Sequence, residues 1–162
     1  MRILGIDPGI GRCGWAVIET QGSKLKPLAF GCIETSPKKE APERLKEIYE
    51  HVLKTANDYS PDALSIEELF FNTNAKTAFV VGQARGVILL AACQKKMSIT
   101  TYTPLQVKIA LTGYGRAEKN QIGQMVKIIL SLKQIPKPDD VTDALAIALT
   151  HAFSNKFNKN TQ

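Results

Sequence analysis

The placement of four acidic residues constrains the fold of this chain more than any other feature of its sequence. Each acid lies at one end of a segment that is apolar enough to be core. The acids are Asp7 after Ile3-Leu4-Gly5-Ile6, Glu67 after Ala63-Leu64-Ser65-Ile66, and Asp140 and Asp143 before Ala144-Leu145-Ala146-Ile147. An ionised carboxylate in such a place costs free energy unless it is paired or binds a cation. Because oxygen-only ligands favour Mg²⁺ or Mn²⁺, the four residues together predict a divalent-metal site.

The first part of the chain is predicted to form strands before helices. Short β-prone runs at 2–7, 13–19 and 26–35 are separated by turns that contain glycine, and they predict an antiparallel meander. Apolar residues then recur at helical spacing over 42–58 and 74–96. A strand follows each of these helices, the first ending at Glu67 and the second covering 98–102.

Three more helices are predicted after these strands. Thr103-Pro104-Leu105-Gln106 has the pattern of a capping box with proline at the first helical position, and this helix is expected to stop at Gly113. Another helix begins near Ala117, and the last runs from about Asp140 to His151. The order of elements predicts an α/β fold, in which a mixed five-stranded sheet, three antiparallel strands and then parallel ones, is flanked by helices.

Length and charge favour a single domain that binds a polyanion. The chain has 162 residues, of which 44% are hydrophobic, enough for one core. We expect the domain to cover 1–153, with 154–162 as a polar, flexible tail. Lys and Arg outnumber Asp and Glu by 21 to 15, and the resulting charge of +6 favours nucleic acid over an acidic protein as the partner.

The cysteines and the start of the chain indicate a reducing compartment. Cys13, Cys32 and Cys93 are odd in number and lack CxxC spacing, so we expect buried free thiols. The chain opens directly on a strand pattern, and no apolar run reaches the length of a membrane span. We therefore predict a cytoplasmic protein that is not bound to a membrane.

Each acidic motif also has an ordinary structural explanation. Asp140 with Asp143 is a common helix start, Glu67 alone is compatible with a lysine partner, and Asp7-Pro8-Gly9 alone is most often a turn. Their joint occurrence in this order of elements is what favours a metal site. Phosphodiester hydrolysis fits such a site, because two metal ions about 3.5–4 Å apart activate water and stabilise the developing charge.

Two neighbouring residues compete for a place among the ligands. Asp139 shares a helix face with Asp143, as Asp140 does, and the spacing does not separate them. His151 lies eight residues after Asp143, about 12 Å along a helix, and is therefore a poor ligand. In the last turn of a helix, a histidine more often complements the helix dipole.

Several motifs together resemble one protein family. They are Gly5-Ile6-Asp7-Pro8-Gly9, Ser65-Ile66-Glu67, Gly82-Gln83-Ala84-Arg85-Gly86, Lys108, Ala117-Glu118-Lys119 and Asp140-Val141-Thr142-Asp143-Ala144-Leu145-Ala146. From residue 1 to about 153, the chain resembles the RuvC Holliday-junction resolvases. The resemblance implies an RNase H-like fold and a Mg²⁺-dependent endonuclease, a hydrolase that resolves four-way DNA junctions by paired symmetric nicks in recombination and repair. It also implies a homodimer, with the RuvA–RuvB branch-migration complex as a partner.

The resemblance assigns roles to the acids. Asp7, Glu67, Asp140 and Asp143 match the catalytic metal ligands of the family, and Asp140 is favoured over Asp139. This implies Mg²⁺ as the cofactor, with Mn²⁺ as a substitute and two ions in each active site.

The resemblance also implies three DNA-binding residues. Lys108 and Lys119 match basic residues near the scissile strand, and Phe70 matches an aromatic residue that stacks on a junction base. Adjacent side chains of an extended segment point to opposite faces, so only one of Phe70 and Phe71 can serve the site. The family match selects Phe70 and leaves Phe71 to packing.

The expected dimer has a candidate interface. Two symmetric nicks need two sites, which an isologous interface supplies most simply. The predicted helix at 74–96 is apolar along the face with Gly82 and Gly86, which permit close approach. Burial of this face against the sheet is an equal alternative from the sequence.

Three other functions compete with junction cleavage. Gly-Ile-Asp-Pro-Gly before a β-turn also resembles the phosphate-binding hairpin of actin-like ATPases, but those proteins close two domains around a nucleotide and this chain fits one. A junction-binding protein without catalysis is disfavoured by four intact acids. A nuclease that acts on RNA–DNA hybrids has the same site, so only the substrate distinguishes it.

Overall fold

The computed structural model describes residues 1–68 and 75–160, with the side chains of 75–77 and 156–160 excepted. These residues form one five-stranded sheet and five helices. The elements are β1 (Arg2–Asp7), β2 (Arg12–Gln21), β3 (Lys24–Glu34), α1 (Ala41–Tyr59), β4 (Ala63–Glu67), α2 (Ala75–Gln94), β5 (Ser98–Tyr102), α3 (Pro104–Thr112), α4 (Lys119–Ile129) and α5 (Asp139–Asn160). The sheet order is β3-β2-β1-β4-β5, with the first three strands antiparallel and β4 and β5 parallel to β1. The predicted fold class is confirmed.

The central strand β1 is buried on both faces. Leu4 and Ile6 pack in a core with α1 and α2, whereas Ile3 packs on the opposite face with α3, α4 and α5. This alternation is the period of a strand, whose successive side chains point to opposite faces. The helices therefore cover the sheet as two layers, and the end of β1 is fixed from both sides.

Two glycines allow α5 to lie directly on the sheet. A Cβ atom at Gly5 of β1 would lie 2.3 Å from the Ala144 carbonyl oxygen, and one at Gly14 of β2 would lie 1.9 Å from the carbonyl oxygen of Asp140. Either approach is far inside van der Waals contact, so only glycine fits at these positions. The first turn of α5 is thereby placed against the strands.

The helix starts follow the predicted signals. Thr103 and Gln106 form the capping box of α3, and Gly113 ends this helix in the left-handed conformation. The helix predicted near Ala117 begins at Lys119, because Glu118 is its N-cap residue and shares a capping box with Gln121.

The last helix is longer than predicted. The prediction of an end at His151 is wrong, because α5 continues to Asn160 and includes residues assigned to a polar tail. Polar residues are compatible with the helix here, since the Thr150 and Ser154 hydroxyls donate to carbonyl oxygens four residues earlier. His151 is buried in mid-helix, 3.0 Å from the Tyr102 hydroxyl and 2.7 Å from the Asn155 amide nitrogen, so the expectation that it complements a helix end is also wrong.

The expectation about the cysteines is only partly confirmed. Cys13 is buried and Cys32 half-buried, but Cys93 is exposed on the outer side of α2. Its neighbour Ala92 faces the core, whereas Phe79 and Leu90 are exposed, so the apolar residues of α2 continue onto its outer face. None of the helices in the described part of the chain is long and apolar enough to cross a membrane.

Candidate active site

Two of the four acids lie at the ends of the adjacent strands β1 and β4. In the parallel pairing of β1 with β4, Ile6 lies opposite Ile66. Asp7 and Glu67 are the next residues of their strands, so both lie at the same edge of the sheet. Pro8 then turns the chain away from β1, and both acids remain half-buried.

The other two acids are brought to this edge by α5. Asp7 is paired with Gly14 in the antiparallel ladder of β1 and β2. Because Gly14 lies against the Asp140 carbonyl group, the first turn of α5 lies across the strand end that carries Asp7. Asp143 is on the next turn of the same helix. The sheet and one helix thus gather acids from three distant segments of the sequence.

The acids disfavour each other's ionisation. Burial raises the pKa of Asp7 to about 8, and the charges of Glu67, Asp143 and Asp140 and a hydrogen bond with Glu67 act in the same direction. Burial also raises the pKa of Glu67, with the charge of Asp143 adding to it and the hydrogen bond with Asp7 opposing it. The cluster is therefore short of positive charge.

Asp143 lies beside a lysine of the protein. The Lys119 ammonium is 3.2 Å from Asp143 Oδ2 and 3.6 Å from Asp139 Oδ2. Burial nevertheless raises the pKa of Asp143, although Lys119 opposes the shift. The positive charge of one lysine therefore does not balance the negative charge of the acid cluster.

Arg12 is a second cation at the site, and no sequence motif pointed to it. Its Nε atom lies 3.3 Å from Asp140 Oδ2, close enough for an ion pair. That oxygen is nevertheless buried and has no hydrogen-bond partner among the described residues, so the two groups are close without being aligned. The register of the β1–β2 hairpin is the signal that could have found Arg12, since it starts the strand that turns back beside Asp7.

The structure favours Asp140 over Asp139 as the member of the cluster. The Asp140 side chain is 19% exposed, whereas that of Asp139 is 71% exposed. Asp140 also raises the pKa of Asp7, and Asp139 is not among the groups that do so. Asp139 contacts Lys119 from the outside.

The donor set suits a hard divalent cation, although the acids are not drawn together around one. Among the described side chains, no three histidine, cysteine or acidic groups are close enough to hold a metal ion as they stand. Instead, Asp7 and Glu67 share a hydrogen bond, and Arg12 and Lys119 lie within ion-pair distance of Asp140 and Asp143. Carboxylates with raised pKa values and an unpartnered buried oxygen are nevertheless a set that a cation would satisfy.

A cavity of about 420 Å³ adjoins the acids and carries the predicted basic residues. Its lining includes the acids Glu67 and Asp143 and three basic residues, Lys108, Arg116 and Lys119. Apart from those with Asp139 and Asp143, this basic group has no ion pairs within the described ranges. Phe70 and Phe71, predicted to contact DNA and to pack respectively, lie outside the described residues.

Known proteins with similar sequences and structures bear on this site. The family model described as crossover junction endodeoxyribonuclease RuvC matches residues 3–151. The protein of that description from Alkaliphilus metalliredigens is 56% identical over 157 residues, which cover 97% of this chain and 96% of that protein.

Two solved structures are similar over nearly the whole chain. Thermus thermophilus RuvC matches with a TM-score of 0.90 and 41% identity, and covers 98% of this chain and 97% of its own. T. thermophilus RuvC in complex with a Holliday junction substrate also matches with a TM-score of 0.90, at 39% identity, over 97% of this chain and 96% of its own.

Proposed function

The chain belongs to the RuvC family, as a crossover junction endodeoxyribonuclease that resolves Holliday junctions, and we propose that Asp7, Glu67, Asp140 and Asp143 carry out its chemistry. The observation that carries this assignment is the meeting of four half-buried acids, from β1, β4 and α5, at one edge of the sheet. We place the nuclease in a single domain of residues 1–153.

The four carboxylates are suited to hold Mg²⁺, or Mn²⁺ in its place, with two ions in each site. When bound, these ions would activate a water molecule and stabilise charge on the phosphoryl oxygens and the leaving group. Asp7 would hold a cation together with the other three acids, since the charges of all three act on its carboxylate. Its place at the end of a buried strand keeps its carboxylate in position.

The two lysines act on the DNA strand that is cleaved. Lys108 lines the cavity and has no ion-pair partner among the described residues, so its charge is available to a phosphate. The Lys119 ammonium lies within ion-pair distance of Asp143 and Asp139. Lys119 also lines the cavity, and its ammonium would stabilise negative charge that develops on the substrate in the transition state.

A homodimer would place two such sites on the two strands of a junction. The outer face of α2 supports this proposal, because Phe79 is 68% and Leu90 is 52% exposed there. A Cβ atom at Gly82 or Gly86 would meet no atom within 4 Å among the described residues. The sheet is contacted instead by the opposite side of the helix, where Ala84 and Ile88 are buried, so the glycine face is open to a second copy.

The cellular setting of this activity is part of the same proposal. We place the protein in the cytoplasm with the RuvA–RuvB branch-migration complex as a partner. Both statements rest on the family resemblance.

One cleavage assay tests the proposed function. A labelled four-way junction, a linear duplex and an RNA–DNA hybrid are incubated with the protein, with and without Mg²⁺. We expect paired nicks in the junction alone, and only with Mg²⁺. Equal cleavage of the hybrid would assign the site to another substrate, and an active monomer in sedimentation experiments would remove the dimer.

A further inference from the structure

A half-buried arginine on α2 reaches the strand ends beside the acid cluster. Arg85 Nε donates a hydrogen bond of 3.3 Å to the backbone carbonyl oxygen of Glu67, and Arg85 Nη2 donates one of 2.9 Å to Thr101 Oγ1. The guanidinium group is planar and presents its donors in a fixed fork. A single side chain thereby ties α2 to the ends of both β4 and β5.

The Glu67 carbonyl group, which accepts the hydrogen bond from Arg85, lies where the regular backbone hydrogen bonding of β4 ends. The N–H of Glu68 donates to the Tyr102 carbonyl oxygen over 2.8 Å, and β4 ends at Glu67. On the other side of β4, the neighbouring strand continues into Pro8, which has no N–H to donate. The strand end that carries an acidic ligand therefore depends on a side chain for part of its support.

We propose that Arg85 is a positioning residue, which fixes the backbone of Glu67 and thereby aims its carboxylate at the acid cluster. Arg85 acts through the main chain and through Thr101, not by contact with a reacting group. If the backbone of Glu67 were free to rotate, its carboxylate would move away from Asp7, with which it shares a hydrogen bond. The link to cleavage rests on the proposed function, whereas the link to Glu67 geometry does not.

Four variants separate positioning from general stability. Arg85→Met keeps the length of the side chain and removes both hydrogen bonds, and Arg85→Lys keeps the charge and at most one of them. Thr101→Val removes only the second acceptor at nearly constant volume. Arg2→Met is the matched control, because Arg2 Nη1 also donates to a backbone carbonyl, that of Tyr59 over 2.8 Å, but at the opposite end of the sheet.

Three measurements are made on each folded variant. They are the Mn²⁺ concentration that gives half of the thermal stabilisation without DNA, the hydrogen-exchange rate of the Glu68 amide, and kcat and KM for junction cleavage. For Arg85→Met we expect the Mn²⁺ midpoint to rise and kcat to fall by about tenfold each, with unchanged KM, as is typical when outer-shell support is lost. Exchange at Glu68 should accelerate. Thr101→Val should show a smaller change of the same kind, and Arg85→Lys a partial rescue.

The proposal fails if Arg85→Met lowers the melting temperature as Arg2→Met does, while its Mn²⁺ midpoint and Glu68 exchange stay at wild-type values. It also fails if the variant weakens junction affinity and reduces the salt dependence of binding without those changes, because Arg85 is then a phosphate contact. If Arg85→Met does not fold, Arg85→Lys and Thr101→Val decide by the same measurements. A wild-type protein that does not cleave junctions would count against the proposed function alone, since Glu68 exchange still tests Arg85.

Discussion

The two ends of the central sheet use the same side-chain types in opposite ways. At the end where β1 begins, Arg2 bonds to Glu19 at 3.0 Å, and its backbone N–H donates to Asp62. The hydrogen bond from Arg2 lowers the pKa of Glu19, so this acid is stabilised as an anion. At the end where β1 finishes, burial and like charge raise the pKa of Asp7 instead. Polar groups that satisfy one another stabilise a fold, and those left unsatisfied mark a binding site.

The largest expected effect is on cleavage, which should depend on the acids at the site end of the sheet and not on an acid at the other end. We expect Asp7→Asn, Glu67→Gln or Asp143→Asn each to reduce junction cleavage by about a thousandfold or more while junction binding and folding are kept, because each removes a ligand charge at nearly constant volume. Asp62→Asn, at the opposite end of β4, should lower the melting temperature and leave cleavage intact. Gel-based cleavage and circular dichroism melts measure both. Mg²⁺-dependent cleavage at the wild-type rate by Asp7→Asn would remove the site assignment.

A second comparison lies within the first turn of α5. Asp140→Asn should reduce cleavage strongly, and Asp139→Asn should change it less than about twofold, because only Asp140 belongs to the buried cluster. The same assay with saturating Mg²⁺ measures both variants. The opposite result would move the ligand by one residue.

The lysines of the cavity should have intermediate effects. Lys108→Ala and Lys119→Ala should slow cleavage of prebound junction by about ten- to a hundredfold, because charge that develops in the transition state loses a partner. Lys24→Ala, at the opposite end of the sheet, is the control. If the cavity variants change only the salt dependence of binding, the two lysines are ordinary backbone contacts.

The smallest effect is a pH dependence of stability without metal. The pKa of Asp7 is raised from about 3.8 to about 8 on folding, so its contribution to stability is fully present below pH 3.8 and is lost as the pH rises toward 8. The Asp7→Asn variant does not lose this stability as the pH rises, because asparagine does not ionise. Its melting temperature should therefore exceed that of the wild type by a margin that grows between pH 5 and pH 8, measured in EDTA. Added Mg²⁺ should reverse the order, increasingly at higher pH, because ligands must be deprotonated. A margin independent of pH would mean that Asp7 ionises freely.

Local signals predicted most of the fold, and long-range contacts account for what they missed. The capping box at Thr103 and the strand at 98–102 depend on neighbouring residues only, and both appear as predicted. The predicted end of α5 is too early because the polar residues after His151 look like a tail, although the Ser154 hydroxyl bonds within the helix. Helical spacing likewise located α2 but did not show which face meets the sheet, and Cys93 lies on the outer one.

The sequence indicated the four acids and the two lysines of the candidate site, but not the two arginines beside them. Carboxylates at the ends of apolar segments are conspicuous because burial makes them costly. Arg12 belongs to no motif, and Arg85 belongs to one that assigns it no role; only the hairpin register and the packing of α2 bring the two arginines to the acids. Asp139 and Asp140 were separated by burial, which spacing does not encode. Phe70 stays a prediction.

The contact between Gly14 and the first turn of α5 means that a conservative substitution at a position that is not one of the acids can disrupt the site. Gly14 carries no charge, binds nothing and lies in a strand interior, so a substitution by alanine would pass as conservative. The added methyl group would occupy the space of the Asp140 carbonyl oxygen and lift the helix that presents two acids. A variant with alanine at position 14 would therefore lose function although none of its active-site residues is altered. All four acids would still be present, but two of them would be displaced.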